Sequence, residues 1–168
     1  EMLVNVLATE IQSQLTGRDL TPDQLFDAVA SLHHRVQGSY AAIALIAGHG
    51  MLAFRDPYGI RPLILGRRLS DQGREEWIVA SESLVIENSG YEIVRDVDPG
   101  EAVFIDADSN LHQRQCAESP RLIPCAFEYV YLARPDSVMI VIYVYESSLR
   151  MGDSLAQTIA ETLRAGDI

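Results

Sequence analysis

Apolar residues fall into three patterns along the chain: helical spacing near both ends, and short blocks or alternation between them. Met2, Leu3, Val6, Leu7, Ile11 and Leu15 recur every three or four positions, which predicts an amphipathic helix over 2–15, with Gly17 as its stop. A second helix is better marked. Thr21 stands at the cap, Pro22 at the first helical position, and Gln24 completes a capping box. Leu25, Val29, Leu32 and Val36 then form one stripe with Phe26 beside it, and Gly38 ends the helix. His33 and His34 fall in its last turn, where a cationic imidazole would favour the negative end of the helix dipole.

From 39 onward the period changes. Residues 39–47 are apolar on both alternating faces, Tyr40, Ala42, Ala44 and Ile46 on one and Ala41, Ile43 and Leu45 on the other, which predicts a strand covered on both sides. Gly48-His49-Gly50 turns the chain into a strand ending at Arg55, with His49 a turn residue. Strands are further predicted at 63–67, 77–80, 91–97, 101–105 and 111–116, with Asp98-Pro99-Gly100 turning between two of them. Ser81 or Ser83 could cap a short helical piece at 84–88. Asp106 and Asp108 read as turn residues, because the Gly and distal Glu of a calcium loop are absent. Residues 117–124 are irregular, 127–137 are aromatic, and 138–144 form a bulky apolar run. A last amphipathic helix spans 149–163, carrying Leu149, Leu155, Ile159 and Leu163. Two helices followed by doubly covered strands predict an α+β fold of stacked sheets with helices outside, an α/β/β/α sandwich.

One turn is specified beyond what a hairpin requires. In Arg55-Asp56-Pro57-Tyr58-Gly59-Ile60-Arg61-Pro62, the Asp can bind backbone N–H groups, the Pro presets φ, and Gly occupies the fourth place. Arg55 and Arg61 bracket it. Such a turn is shaped to hold something in place.

Composition narrows the function classes. The 168 residues carry a net charge of −11, which argues against nucleic acid as a partner. All 13 basic residues are Arg, so Schiff-base and P-loop lysine chemistry is excluded within this sequence. No apolar run is long enough to predict a membrane span, and without a leader-like start a cytoplasmic setting is the default expectation. Two cysteines, Cys116 and Cys125, read as reduced thiols. The first residue is Glu1, and the sequence is expected to be part of a longer polypeptide.

Several stretches resemble a known family. Gly38-Ser39-Tyr40-Ala41, Phe54-Arg55-Asp56-Pro57, Gly59-Ile60-Arg61-Pro62-Leu63 and Ala80-Ser81-Glu82-Ser83 are similar to the second half of class II glutamine amidotransferase domains, which are N-terminal-nucleophile hydrolases. Phe127-Glu128-Tyr129-Val130-Tyr131 with Ala133-Arg134-Pro135-Asp136-Ser137, Arg95-Asp96-Val97 and Arg114-Gln115-Cys116-Ala117 narrow the resemblance to amidophosphoribosyltransferases. Arg150-Met151-Gly152 resembles the start of their phosphoribosyltransferase domain. The implied division is 1–117 for the C-terminal part of the glutaminase domain, 118–143 for an interdomain segment, and 144–168 for the start of an α/β phosphoribosyltransferase domain.

The resemblance implies an enzyme that hydrolyses glutamine and passes the ammonia to phosphoribosyl pyrophosphate, with Mg²⁺ accompanying that substrate, purine nucleotides as inhibitors, and a homo-oligomeric state. It implies pocket-supporting roles for Arg55, Asp56 and Arg61 and interdomain roles for Tyr131 and Arg134. Family members that carry a [4Fe–4S] cluster have a ligand at the position of Cys125, but the overall resemblance is to the cluster-free branch. Glu1 matches the final Glu of the family's Ser-Asp-Ser-Glu motif. The nucleophilic N-terminal cysteine and the acidic phosphoribosyl pyrophosphate loop match nothing in this sequence, so the segment alone is expected to be inactive. Two other readings stay open at this point: another class II amidotransferase, and a non-catalytic assembly module. The sequence departs from the family at 138–145, where β-branched residues replace a polar turn, at Ser148, where an arginine is expected, and at Tyr58.

Overall fold

A computed structural model describes residues 2–15, 20–139 and 142–165. Gly17, together with Glu1, Ile140, Val141 and Ile168, lies outside the described residues. The fold is α+β, with every paired strand antiparallel. Helix α1 (Met2–Gln14) and helix α2 (Pro22–Arg35) precede β1 (Ala41–Ile46), β2 (Gly50–Arg55), β3 (Ile64–Leu69) and β4 (Glu75–Ala80). Helix α3 (Ser83–Asn88), β5 (Glu92–Asp96), β6 (Glu101–Asp106) and β7 (Leu111–Gln115) follow. A π-helix (Glu128–Leu132), the short strands β8 (Val138–Met139) and β9 (Ile142–Tyr143), and helix α4 (Val144–Ala165) complete the chain.

Strands β1-β2-β6-β7 form one sheet and β4-β3-β5 a second. Alternation along β2 and β6 builds two cores at once. Leu52, Phe54, Ala102 and Phe104 pack against Leu25, Phe26, Val29 and Leu32 of α2 and Leu7 of α1. The intervening Ala53 and Val103 pack against Leu63, Leu65, Val79 and Val97 on the second sheet's side. On the outer face of that second sheet, Ile86 of α3 is fully buried. A Cβ at Gly66 would stand 2.4 Å from the Ile86 side chain, so only glycine lets this helix approach β3.

The N-terminus of α2 forms as its sequence dictates. The Thr21 side chain accepts from Gln24 N–H, the Gln24 side chain accepts from Thr21 N–H, and Pro22 opens the helix. Val36 rather than Gly38 terminates it, in extended conformation. In α1 only Leu7 is buried, and Met2 and Leu15 are exposed.

Three expectations are corrected. The doubly covered strands are β2 and β6; β1 is an edge strand whose Ile43 and Leu45 are exposed, because the three-stranded sheet does not reach across it. Asp98-Pro99-Gly100 forms the expected turn and carries the chain from one sheet to the other, β5 pairing β3 and β6 pairing β2. Neither Ser81 nor Ser83 caps α3; its cap position is Glu82, which makes no side-chain cap bond. Ser83 is buried, and its Oγ accepts the Val138 N–H at 3.0 Å. Helix α4 begins at Val144, five positions before the predicted start, and its apolar stripe is exposed.

Candidate functional site

Arg55 ends β2, and the chain then folds back on it. Within Asp56–Gly59 the Gly59 N–H donates to the Asp56 carbonyl at 2.9 Å, closing the predicted turn, and Gly59 takes φ 56°. The Asp56 carboxylate, fully buried, accepts the N–H groups of Tyr58 (2.9 Å), Ile60 (3.0 Å), Arg61 (3.3 Å) and Tyr40 (3.3 Å). Its carbonyl also accepts from Gly100 N–H at 2.9 Å, tying the turn to the crossing between sheets.

Arg55 is as fully engaged. Nε donates to the Arg61 carbonyl at 2.7 Å, one terminal nitrogen to Val97 at 2.7 Å, and the other to Gly59 at 2.8 Å. Burial lowers its pKa from the ordinary arginine value, while the carboxylates of Asp96, Asp56 and Asp98 oppose that shift. Burial likewise raises Asp96, against the attraction of Arg55. The guanidinium therefore replaces water as the donor for three carbonyls that would otherwise be orphaned. The linker lies along the outside of the same turn, Arg121 N–H donating to Pro57 and Ile123 N–H to Tyr58.

Arg61 points the other way. Its guanidinium donates to Glu128 Oε1 at 2.8 Å, at the first residue of the π-helix. Both residues line a cavity of about 320 Å³, together with Ala41, Pro62, Ser81, Glu82, Leu132 and Ala133. Thus Arg55, Asp56 and Arg61 are brought together. Tyr131 and Arg134 are not part of that cluster: Tyr131 is 81% exposed, and Arg134 forms a two-pronged pair with Asp136 on the surface. Cys125 is half-buried, and no group of three or more His, Cys, Asp or Glu able to hold a metal occurs among the described residues.

The sequence signals missed Glu128 and misjudged His33. Glu128 is a buried acid within an aromatic run; its cation lies 67 positions away, beyond any local pattern. His33 is not a cationic helix terminus. One ring nitrogen contacts the Gly100 carbonyl at 3.3 Å and the other the Tyr40 hydroxyl at 2.7 Å. A carbonyl can only accept, so Nε2 carries the proton and Nδ1 accepts from Tyr40. Burial is the main cause lowering the His33 pKa and raising that of Tyr40, which keeps both neutral. His33 lines a second cleft, of about 630 Å³, with His34, Tyr58, Cys116 and Glu118.

The chain is 46% identical to Escherichia coli amidophosphoribosyltransferase over 168 residues, all of this chain and 33% of that enzyme. It is homologous to a segment of amidophosphoribosyltransferase. Two solved structures agree. One, described as the allosteric regulatory enzyme of purine biosynthesis, superposes with a TM-score of 0.73 at 28% identity, over 92% of this chain and 30% of that one. The glutamine phosphoribosylpyrophosphate amidotransferase of B. subtilis, solved with ADP and GMP, gives 0.66 at 28% identity, over 83% of this chain and 28% of that one. No protein-family model matches the chain. The chain therefore spans about a third of the length of the amidophosphoribosyltransferases it matches. No described helix is long and apolar enough to cross a membrane.

Proposed function

We propose that this chain is part of an amidophosphoribosyltransferase that transfers glutamine-derived ammonia to phosphoribosyl pyrophosphate, giving 5-phosphoribosylamine and pyrophosphate. The identity to the E. coli enzyme along the whole of this chain carries the reading. Residues 1–117 belong to an N-terminal-nucleophile glutaminase sandwich, 118–143 join the domains, and 144–168 open the phosphoribosyltransferase domain. The contact of helices with one sheet, and of that sheet with a second, supports the sandwich. Arg55 and Asp56 stiffen the turn that backs the glutamine pocket, and Arg61 helps shape it. Tyr131 and Arg134 act at the interdomain junction, to which the exposure of Tyr131 is suited.

The chemistry itself belongs to other residues. Glutamine hydrolysis in this family needs a cysteine thiol beside its own free α-amine, which titrates near neutrality and can take the thiol proton. Cys116 and Cys125 lie within the chain, so their nitrogens are amides and not bases. Burial also raises the Cys116 pKa, away from the nucleophilic thiolate. In this reading the segment by itself is proposed to be inactive. Mg²⁺ enters with phosphoribosyl pyrophosphate, held by residues outside this sequence, and Cys125 is a free thiol rather than a cluster ligand. The related B. subtilis structure holds ADP and GMP, which supports purine nucleotides as inhibitors of the whole enzyme. The enzyme works in the cytoplasm as a homo-oligomer.

The test is an assay of the full-length polypeptide with glutamine and phosphoribosyl pyrophosphate. Pyrophosphate release that depends on glutamine is expected. Glutamine hydrolysis without it would point to a different acceptor and overturn the assignment.

A further inference from the structure

We draw no further inference here: the strongest candidate, the cleft of about 630 Å³ at the C-terminal end of α2, lined by His33, His34, Tyr58, Cys116 and Glu118, carries no ligand assignment, because His33 is engaged with Tyr40 and Gly100, His34 and Glu118 are solvent-exposed, and nothing in the structure shows what fills it.

Discussion

Arg55 and Arg150 both lie near acids, yet they belong to regions built on opposite terms. At the turn after β2, Arg55 and Asp56 are buried, and their charged groups bond backbone groups of three separate stretches, around 40, 58–61 and 97. Along α4, Arg150 pairs with Glu146 one helical turn away, both largely exposed, and Leu149, Leu155, Ile159 and Leu163 are exposed as well. The turn completes itself within this chain, while the helix offers a face that the chain does not cover. Strong sequence signatures thus mean different things: one describes a finished local structure, the other a surface made for further contacts.

The sharpest way to break the comparison is Asp56→Ala. Four buried or partly buried N–H donors lose their acceptor, and the loss should be at least about 3 kcal/mol in urea unfolding, given the strength of bonds to charged groups. A cost under about 1 kcal/mol would mean that water substitutes freely and that the turn is not sealed.

Arg55→Met comes next. It preserves bulk and leaves three carbonyls without their donor, for an expected loss of about 2–3 kcal/mol by the same measurement.

A third test concerns pH. The folded-state pKa of His33 is depressed by burial, so the unfolded chain binds the proton more readily. Stability contributed by the neutral ring is present above its unfolded pKa of about 6.5, and is lost as pH falls through the lowered folded value. The urea midpoint should therefore drop between pH 7 and 5 in the wild type, and drop less in His33→Gln. Parallel curves would show that His33 is solvated.

The smallest effect is expected on the open side of the comparison. Arg150→Ala should change stability by about 0.3–0.5 kcal/mol, as exposed pairs one turn apart do. A loss above about 1 kcal/mol would show that α4 is packed in solution.

Much of the architecture was legible because local rules determined it. The capping box at Thr21, the turn at Asp56 and the switch from helical to alternating period at 39 need only near neighbours. The helix at 2–15 and the succession of seven strands followed from period alone. Sheet membership was not legible: nothing near Asp98-Pro99-Gly100 says that β5 and β6 belong to different sheets. Nor was the exposure of Ile43 and Leu45, since an apolar strand carries no mark of whether the layer above it extends far enough. Glu128 and Ser83 were missed for a related reason. Each looked like a local residue, a charge in an aromatic run and a helix cap, and each is held by a partner more than fifty positions away.

The central proposal is that these residues provide scaffold and not catalysis. The most direct measurement incubates the isolated 168-residue chain, its N-terminal Glu1 verified by intact mass, with glutamine and quantifies glutamate. No glutamate above the uncatalysed background is the predicted result. Multiple turnovers from that polypeptide would contradict the account, because they would require a nucleophile and a base that it assigns to residues outside this sequence.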